Sequence, residues 1–178
     1  RYTLRFLTAD QFARTGSLIC ALEKIRRNHR NDLGSEPFSA GLYAGGSVTY
    51  TDRSEAAAVV EELLSGSSVP LKFQIDYCPN CGTEIIPTKP VFDQEGELDI
   101  SRYGVRVTEK TEITCTNPSC LFSTGDGIPI RTVDEDIYNF PPSFLLGTID
   151  KFAMMAFKKQ SGAIFKGPDG QCLPPSSI

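Results

Sequence analysis

The cysteines carry the most chemistry in this sequence. Four of the six fall into two pairs, Cys78-Pro-Asn-Cys81-Gly82 and Cys115-Thr-Asn-Pro-Ser-Cys120. Two thiols three positions apart on a tight reversal converge on one point, turn N–H groups face the sulfurs, and Gly82 relieves the strain of the reversal. Thirty-three residues separate the pairs, room for a hairpin. Two such turns on a small β unit predict a tetrahedral Zn²⁺ site on Cys78, Cys81, Cys115 and Cys120. An all-thiolate set is closed and structural, because no position is left for water or substrate. Rubredoxin-like iron uses the same four thiolates and remains open as the metal. A redox C-x-x-C belongs at a helix N-terminus, which lowers its thiol pKa, whereas this pair follows an expected strand at 73–77. Disulfides need an oxidising compartment that nothing in the sequence signals. Cys20 reads as a core residue, Cys172 as a free thiol in a loop, and His29 as a surface residue at a helix end.

Two threonine-led turns have a second kind of chemistry. In Phe144-Leu-Leu-Gly147-Thr148-Ile-Asp150-Lys151, an apolar strand runs into a Thr that caps a helix. Free N–H groups, the Thr hydroxyl and Lys151 in the first turn suit a phosphate. An alternating run at 2–7, with Thr3 and Arg5 on it, feeds Thr8 and a helix in the same way, and Gln11 completes a capping box. The plain alternative is that Thr8 and Thr148 are ordinary caps and Lys151 is solvated. The chain has no G-x-x-x-x-G-K-[ST] loop, no Asp-Glu box ending an apolar strand, and one His, which leaves no Ser/His/Asp set.

These residues must be placed by an α/β framework. The 178 residues are 40% hydrophobic and 22% charged with a net charge of −4, which fits a folded globular chain and excludes wholesale disorder. No apolar run approaches the ~20 residues of a membrane span, and no leader is visible. Strands are expected at 2–7, 39–44 and 144–147. Helices are expected from Thr8 to about Arg30, over 53–65, over 134–139, and from Thr148 to about Lys158. The first should bury Phe12, Leu18, Ile19, Leu22 and Ile25, the second Ala56, Val59, Val60, Leu63 and Leu64, and the last Ile149, Phe152, Ala153, Met155 and Ala156. Short, charged, turn-rich strands occupy the middle. The expected organisation is an α/β region at 1–68, a small zinc-ribbon-like β insert at 69–128 entered through Leu64-Ser-Gly-Ser-Ser68, and a continuation of the α/β region at 129–178. Residues 1–30 hold seven basic and two acidic side chains and residues 31–147 seven and eighteen, so a phosphate backbone would meet the ends before the middle. Arg1 lies inside the alternating run, and LPPSSI at the other end resembles the entry to a strand. We therefore expect an excised piece of a longer protein.

The segments RYTLRFLTADQF…LICALEKIRR and TVDEDIYNFPPSFLLGTIDKFA, with the four paired cysteines between them, resemble the large superfamily II helicases typified by the helicase subunit of the DISARM antiphage system. The resemblance covers about 1–50, the cysteine pairs and 129–178. It implies a partial RecA-like parallel sheet, with the first segment matching motif Ia and GTIDKFA the motif that precedes the Walker B box. It also implies that the intact protein is a cytoplasmic phage-defence motor, a helicase or translocase driven by ATP and Mg²⁺. Such motors grip single- or double-stranded nucleic acid by its backbone phosphates. Carried over to this sequence, the nucleic-acid contacts are Thr3, Arg5, Thr148 and Lys151, with Asp150 folding back to the helix start. Walker A and Walker B would lie outside the chain, so the 178 residues should be catalytically inactive and, with sheet edges exposed, should self-associate or be marginally stable. The acidic insert would project and meet a protein partner. The competing reading is a non-enzymatic zinc-ribbon interaction module, and a third, a thiol oxidoreductase, would need a fast-reacting Cys78–Cys81 pair.

Overall fold

The computed structural model describes residues 2–87 and 89–165, with residues 2–9 described by their backbone alone. Three short parallel strands form the central sheet in the order β4-β1-β5: β1 (Ala40–Tyr43), β4 (Ile130–Arg131) and β5 (Phe144–Gly147). Ala40 pairs with Ile130 on one side and Phe144 on the other, and the β1–β5 register runs on to Tyr43 opposite Gly147. All four residues of β1 are buried, as a strand covered on both faces must be.

Helix α1 (Tyr2–Asn28) packs on this sheet, and its start corrects the strand expected at 2–7. Both sides of β1 are taken, by β4 and β5, and the run pairs with neither edge strand; a helix satisfies its backbone groups within the segment. The run 2–7 contains no Gly or Pro and joins the helix instead, so Thr8 lies inside α1 rather than at its cap. The buried face also differs from the expected one. Phe12, Ile19 and Cys20 are buried, whereas Leu18, Leu22 and Ile25 are exposed. Gly16 lies on the packed face, where a Cβ would come 3.0 Å from Ile130 and 3.3 Å from Pro79.

The chain leaves α1 around a buried ion pair. Glu23 accepts hydrogen bonds from Arg26 Nε and Nη2, both 2.7 Å, from Arg27 Nε at 3.0 Å and from the Phe38 N–H at 3.2 Å. Arg26 also donates to the carbonyls of Gly34 and Ser35, fixing the path through the one-turn helix α2 (Arg30–Leu33) into β1. Helix α3 (Arg53–Leu64) forms as its periodicity predicts and buries Ala56, Val60 and Leu63. It stops at Gly66, whose φ of 88° suits glycine.

The cysteine-bearing segment contains one antiparallel hairpin, β2 (Val105–Val107) and β3 (Thr111–Ile113), with Val105 opposite Ile113. No strand forms at 73–77. Gln74 takes a left-handed φ of 57° there and its amide Nε2 donates to Val48 O at 2.9 Å, so the extended run is broken to meet the loop after β1. Phe73, Ile85, Tyr103, Ile113 and Phe122 share one core with Phe12, Leu42 and Val60. The segment is therefore built into the α/β body and does not project from it.

Helix α4 (Asp134–Asn139) follows β4, and α5 (Ile149–Met155) follows β5. Helix α5 is shorter than expected and faces the other way. Of the five residues expected inward, only Met155 is buried, and Ile149 is 77% exposed. Cys20 is in the core and His29 on the surface, as expected, whereas Cys172 and the LPPSSI end lie outside the described residues. Among the described residues no helix is long and apolar enough to cross a membrane.

Candidate functional site

Two turns bring four thiols together. In the first, the Cys78 N–H donates to Thr83 O at 2.7 Å and the Gly82 N–H to Cys78 O at 2.8 Å. Gly82 takes a φ of 74°, which closes the reversal anticipated from Cys-Pro-Asn-Cys-Gly. In the second, the Cys115 N–H donates to Phe122 O and the Cys120 N–H to Asn117 O, each at 2.9 Å. Close backbone packing holds the second turn against β2. The Thr114 N–H donates to Gly104 O at 2.7 Å, and a Cβ on Gly104 would fall 2.0 Å from Thr114 O, so only glycine fits.

The sulfurs of Cys78, Cys81, Cys115 and Cys120 all lie within 4.8 Å of one another. Cys81 and Cys115 are 3.4 Å apart, and Cys78 and Cys120 3.8 Å. A tetrahedron of sulfurs each about 2.3 Å from a central ion has edges of roughly 3.8 Å. The Asn117 N–H reaches Cys115 Sγ and the Asn80 amide reaches Cys120 Sγ, each at 3.4 Å, donors of the kind that orient and stabilise thiolate ligands. Cys81 is the exposed member of the set. Burial opposes its ionisation, but hydrogen bonds at Thr83 and the neighbouring thiols outweigh that, and its thiol comes down to about 6. Burial pushes the Cys78 and Cys115 thiols up. Four thiolates this close and mostly desolvated need a cation to coexist. The donor set, its spacing and the N–H groups facing the sulfurs thus fit a metal ion.

Asp134 lies at the start of α4, after β4. Thr148 is half-buried; its N–H donates to Tyr43 O at 3.2 Å and its carbonyl accepts from the Lys151 and Phe152 N–H groups at 3.0 and 3.1 Å. Thr148 occupies the N-cap position of α5 without a side-chain cap hydrogen bond. Asp150 is exposed and lacks the hydrogen bond back to the helix start that was expected of it. Lys151 is neither solvated nor directed outward: its Nζ lies 2.5 Å from Asp134 Oδ2, an ion pair off the direction of a hydrogen bond. Thr3 and Arg5 fall on the backbone of α1, and their side chains lie outside the described residues. Sequence reasoning passed over Asp134. It follows β4 after Thr132 and Val133, and its partner is seventeen positions further along the chain.

No protein-family model matches the chain. The sequence is 32% identical over 177 residues to a DISARM protein, DrmA of Bacillus paralicheniformis, a match that covers 93% of this chain. The chain spans 14% of the length of that curated relative. The similarity supports a DISARM-related family for this chain.

Proposed function

We propose that the chain is a zinc-stapled part of a DISARM-type, ATP-dependent superfamily II motor, and that it contributes contacts to nucleic-acid phosphates. The observation that carries the reading is the quartet of converging thiols in a chain 32% identical to DrmA along nearly all of its length. Zinc is the proposed ion because four thiolates in a tetrahedron match its preferred ligands and leave no vacancy for chemistry. The ion would act in the fold, tying the turn before β2 to the turn after β3. The α/β frame would then present Thr148, with Thr3 and Arg5 on α1, to a backbone of single- or double-stranded nucleic acid in the cytoplasm. Hydrolysis of ATP would fall to parts of the protein beyond these residues, and the acidic loops of the cysteine-bearing segment would meet a protein partner.

Two measurements test this. Elemental analysis of the purified chain should give one zinc per chain, and salt-dependent binding to a single-stranded oligonucleotide should weaken in Thr148→Ala. A chain that folds without stoichiometric metal removes the staple. Binding indifferent to Thr148→Ala removes the phosphate contact.

A further inference from the structure

Helix α5 is turned with its charge inward. Ile149 at its start and Phe157 just beyond its end are 77% and 81% exposed, whereas the Lys151 side chain is 11% exposed and faces Asp134, which is fully buried. The Lys151 ammonium also sits 4.9 Å from the centre of the Tyr43 ring. Lys158 approaches the same Asp134 oxygen at 3.9 Å and the Tyr138 ring at 5.9 Å. Tyr43 and Tyr138 join hydroxyl to hydroxyl at 2.6 Å behind the cluster. Two cations, each beside a tyrosine ring, thus converge on one desolvated carboxylate.

We propose that Lys151 is a positioning residue: paired with Asp134, it clamps α5 onto α4 and β1 and thereby sets Thr148, without itself touching a phosphate. The proposal rests on the reading of Thr148 as a nucleic-acid contact. The mechanical link is short. Lys151 and Phe152 donate their N–H groups to Thr148 O, and Thr148 donates to Tyr43 O. The ammonium that is fixed over Tyr43 therefore belongs to the same turn that holds Thr148. Magnitudes decide against a mobile Lys151. Opening the pair would leave a fully buried carboxylate with only Lys158, 3.9 Å away, as its cation. An exposed contact to a phosphate returns only about severalfold. The pair stays closed, and with Lys158 at its flank the carboxylate keeps a cation on each side.

The test is fluorescence anisotropy of a labelled single-stranded oligonucleotide titrated with the 178-residue chain over a salt series, beside thermal melts. Lys151→Met should weaken binding by roughly two- to thirtyfold, the range for a residue acting through its neighbours, while the slope of log K against log salt stays unchanged. Lys151→Arg should restore affinity, and Thr148→Ala should add no further loss in the Lys151→Met background. Asp134→Asn should weaken binding too. A slope that falls by about 0.7 in Lys151→Met, the loss of one single-strand phosphate contact, overturns the proposal, as does tighter binding in Asp134→Asn. If Asp134→Asn does not fold, the Lys151 variants still decide the slope. If the unaltered chain binds no oligonucleotide, the nucleic-acid reading fails on its own. The clamp is then judged by melting: Asp134→Asn/Lys151→Met should melt no lower than the worse single variant, and additive losses refute it.

Discussion

Glu23→Gln isolates a buried electrostatic unit that joins α1 to the start of β1. The Glu23 carboxylate is fully buried and accepts four hydrogen bonds, three of them from Arg26 and Arg27. The Arg26 side chain is 3% exposed. Glutamine keeps the shape but withdraws the charge and turns an N–H₂ toward guanidinium donors, leaving Arg26 buried without its anion. Removing one partner of such a pair costs about 3–5 kcal/mol. At about 2–4 °C per kcal/mol for a chain of this size, the melting temperature should fall by roughly 6–20 °C. The assay is a thermal melt followed by circular dichroism at neutral pH, repeated at high salt, to which a buried pair is nearly indifferent. The acid limb has a defined sign. Burial raises the Glu23 pKa, but the two arginines outweigh it and hold the carboxyl below the usual 4.5. Its contribution is therefore complete above 4.5 and is lost as pH falls through the lower folded value, so the gap between wild type and Glu23→Gln should close in that acid range. A melting shift under about 2 °C, or a Glu23→Gln/Arg26→Met loss equal to the sum of the single losses, refutes the account of this pair as the pivot between α1 and β1.

Other perturbations follow from the same geometry. Chelation or Cys115→Ser should abolish metal uptake and lower the melting temperature; substitution by Co²⁺ should give the absorption of a four-thiolate tetrahedral site, and an unchanged melt in chelator would count against a structural ion. Gly104→Ala drives a Cβ to 2.0 Å from Thr114 O and should cost about 4 kcal/mol or more in chemical denaturation. Gly96→Ala, with a φ of 83° but nothing within 4 Å, should cost only about 1–2 kcal/mol, so equal losses at the two glycines would contradict the packing. Phe122→Ala empties a fully buried position beneath the Arg27 guanidinium, 5.1 Å from the ring centre, and should cost about 3–5 kcal/mol in a urea titration.

What was legible in the sequence was local. The cysteine turns close through their own neighbours, so their residue types and spacing carry the geometry. Helix α3 has one apolar stripe and one place to put it, and β1 and β5 are apolar runs bounded by Gly or Pro. What was not legible depended on a partner elsewhere in the chain. The run 2–7 alternates convincingly, yet a strand forms only if a sheet edge takes it up, and this run joins no edge and continues α1 instead. The face of α5 was misjudged because apolar periodicity ignores a buried carboxylate. Asp134 draws Lys151 inward, and the rotation that satisfies that ion pair turns Ile149 outward. Likewise Gln74 interrupts an extended run in order to reach Val48 O, a bond between residues whose adjacency only the fold creates.

The common core of the cysteine-bearing segment and the α/β body has a consequence for how this architecture can vary. Phe73, Ile85 and Phe122 fill space against Phe12 and Val60, so residues 69–128 are not a cassette that can be excised, grafted or exchanged between relatives without reshaping the helices around it. Innovation is confined to what lies outside that packing, such as the turn from Asp93 to Asp99, whose side chains are largely exposed. Insertions, tags and altered charges should be tolerated there and rejected in the shared interior, which must change together or not at all.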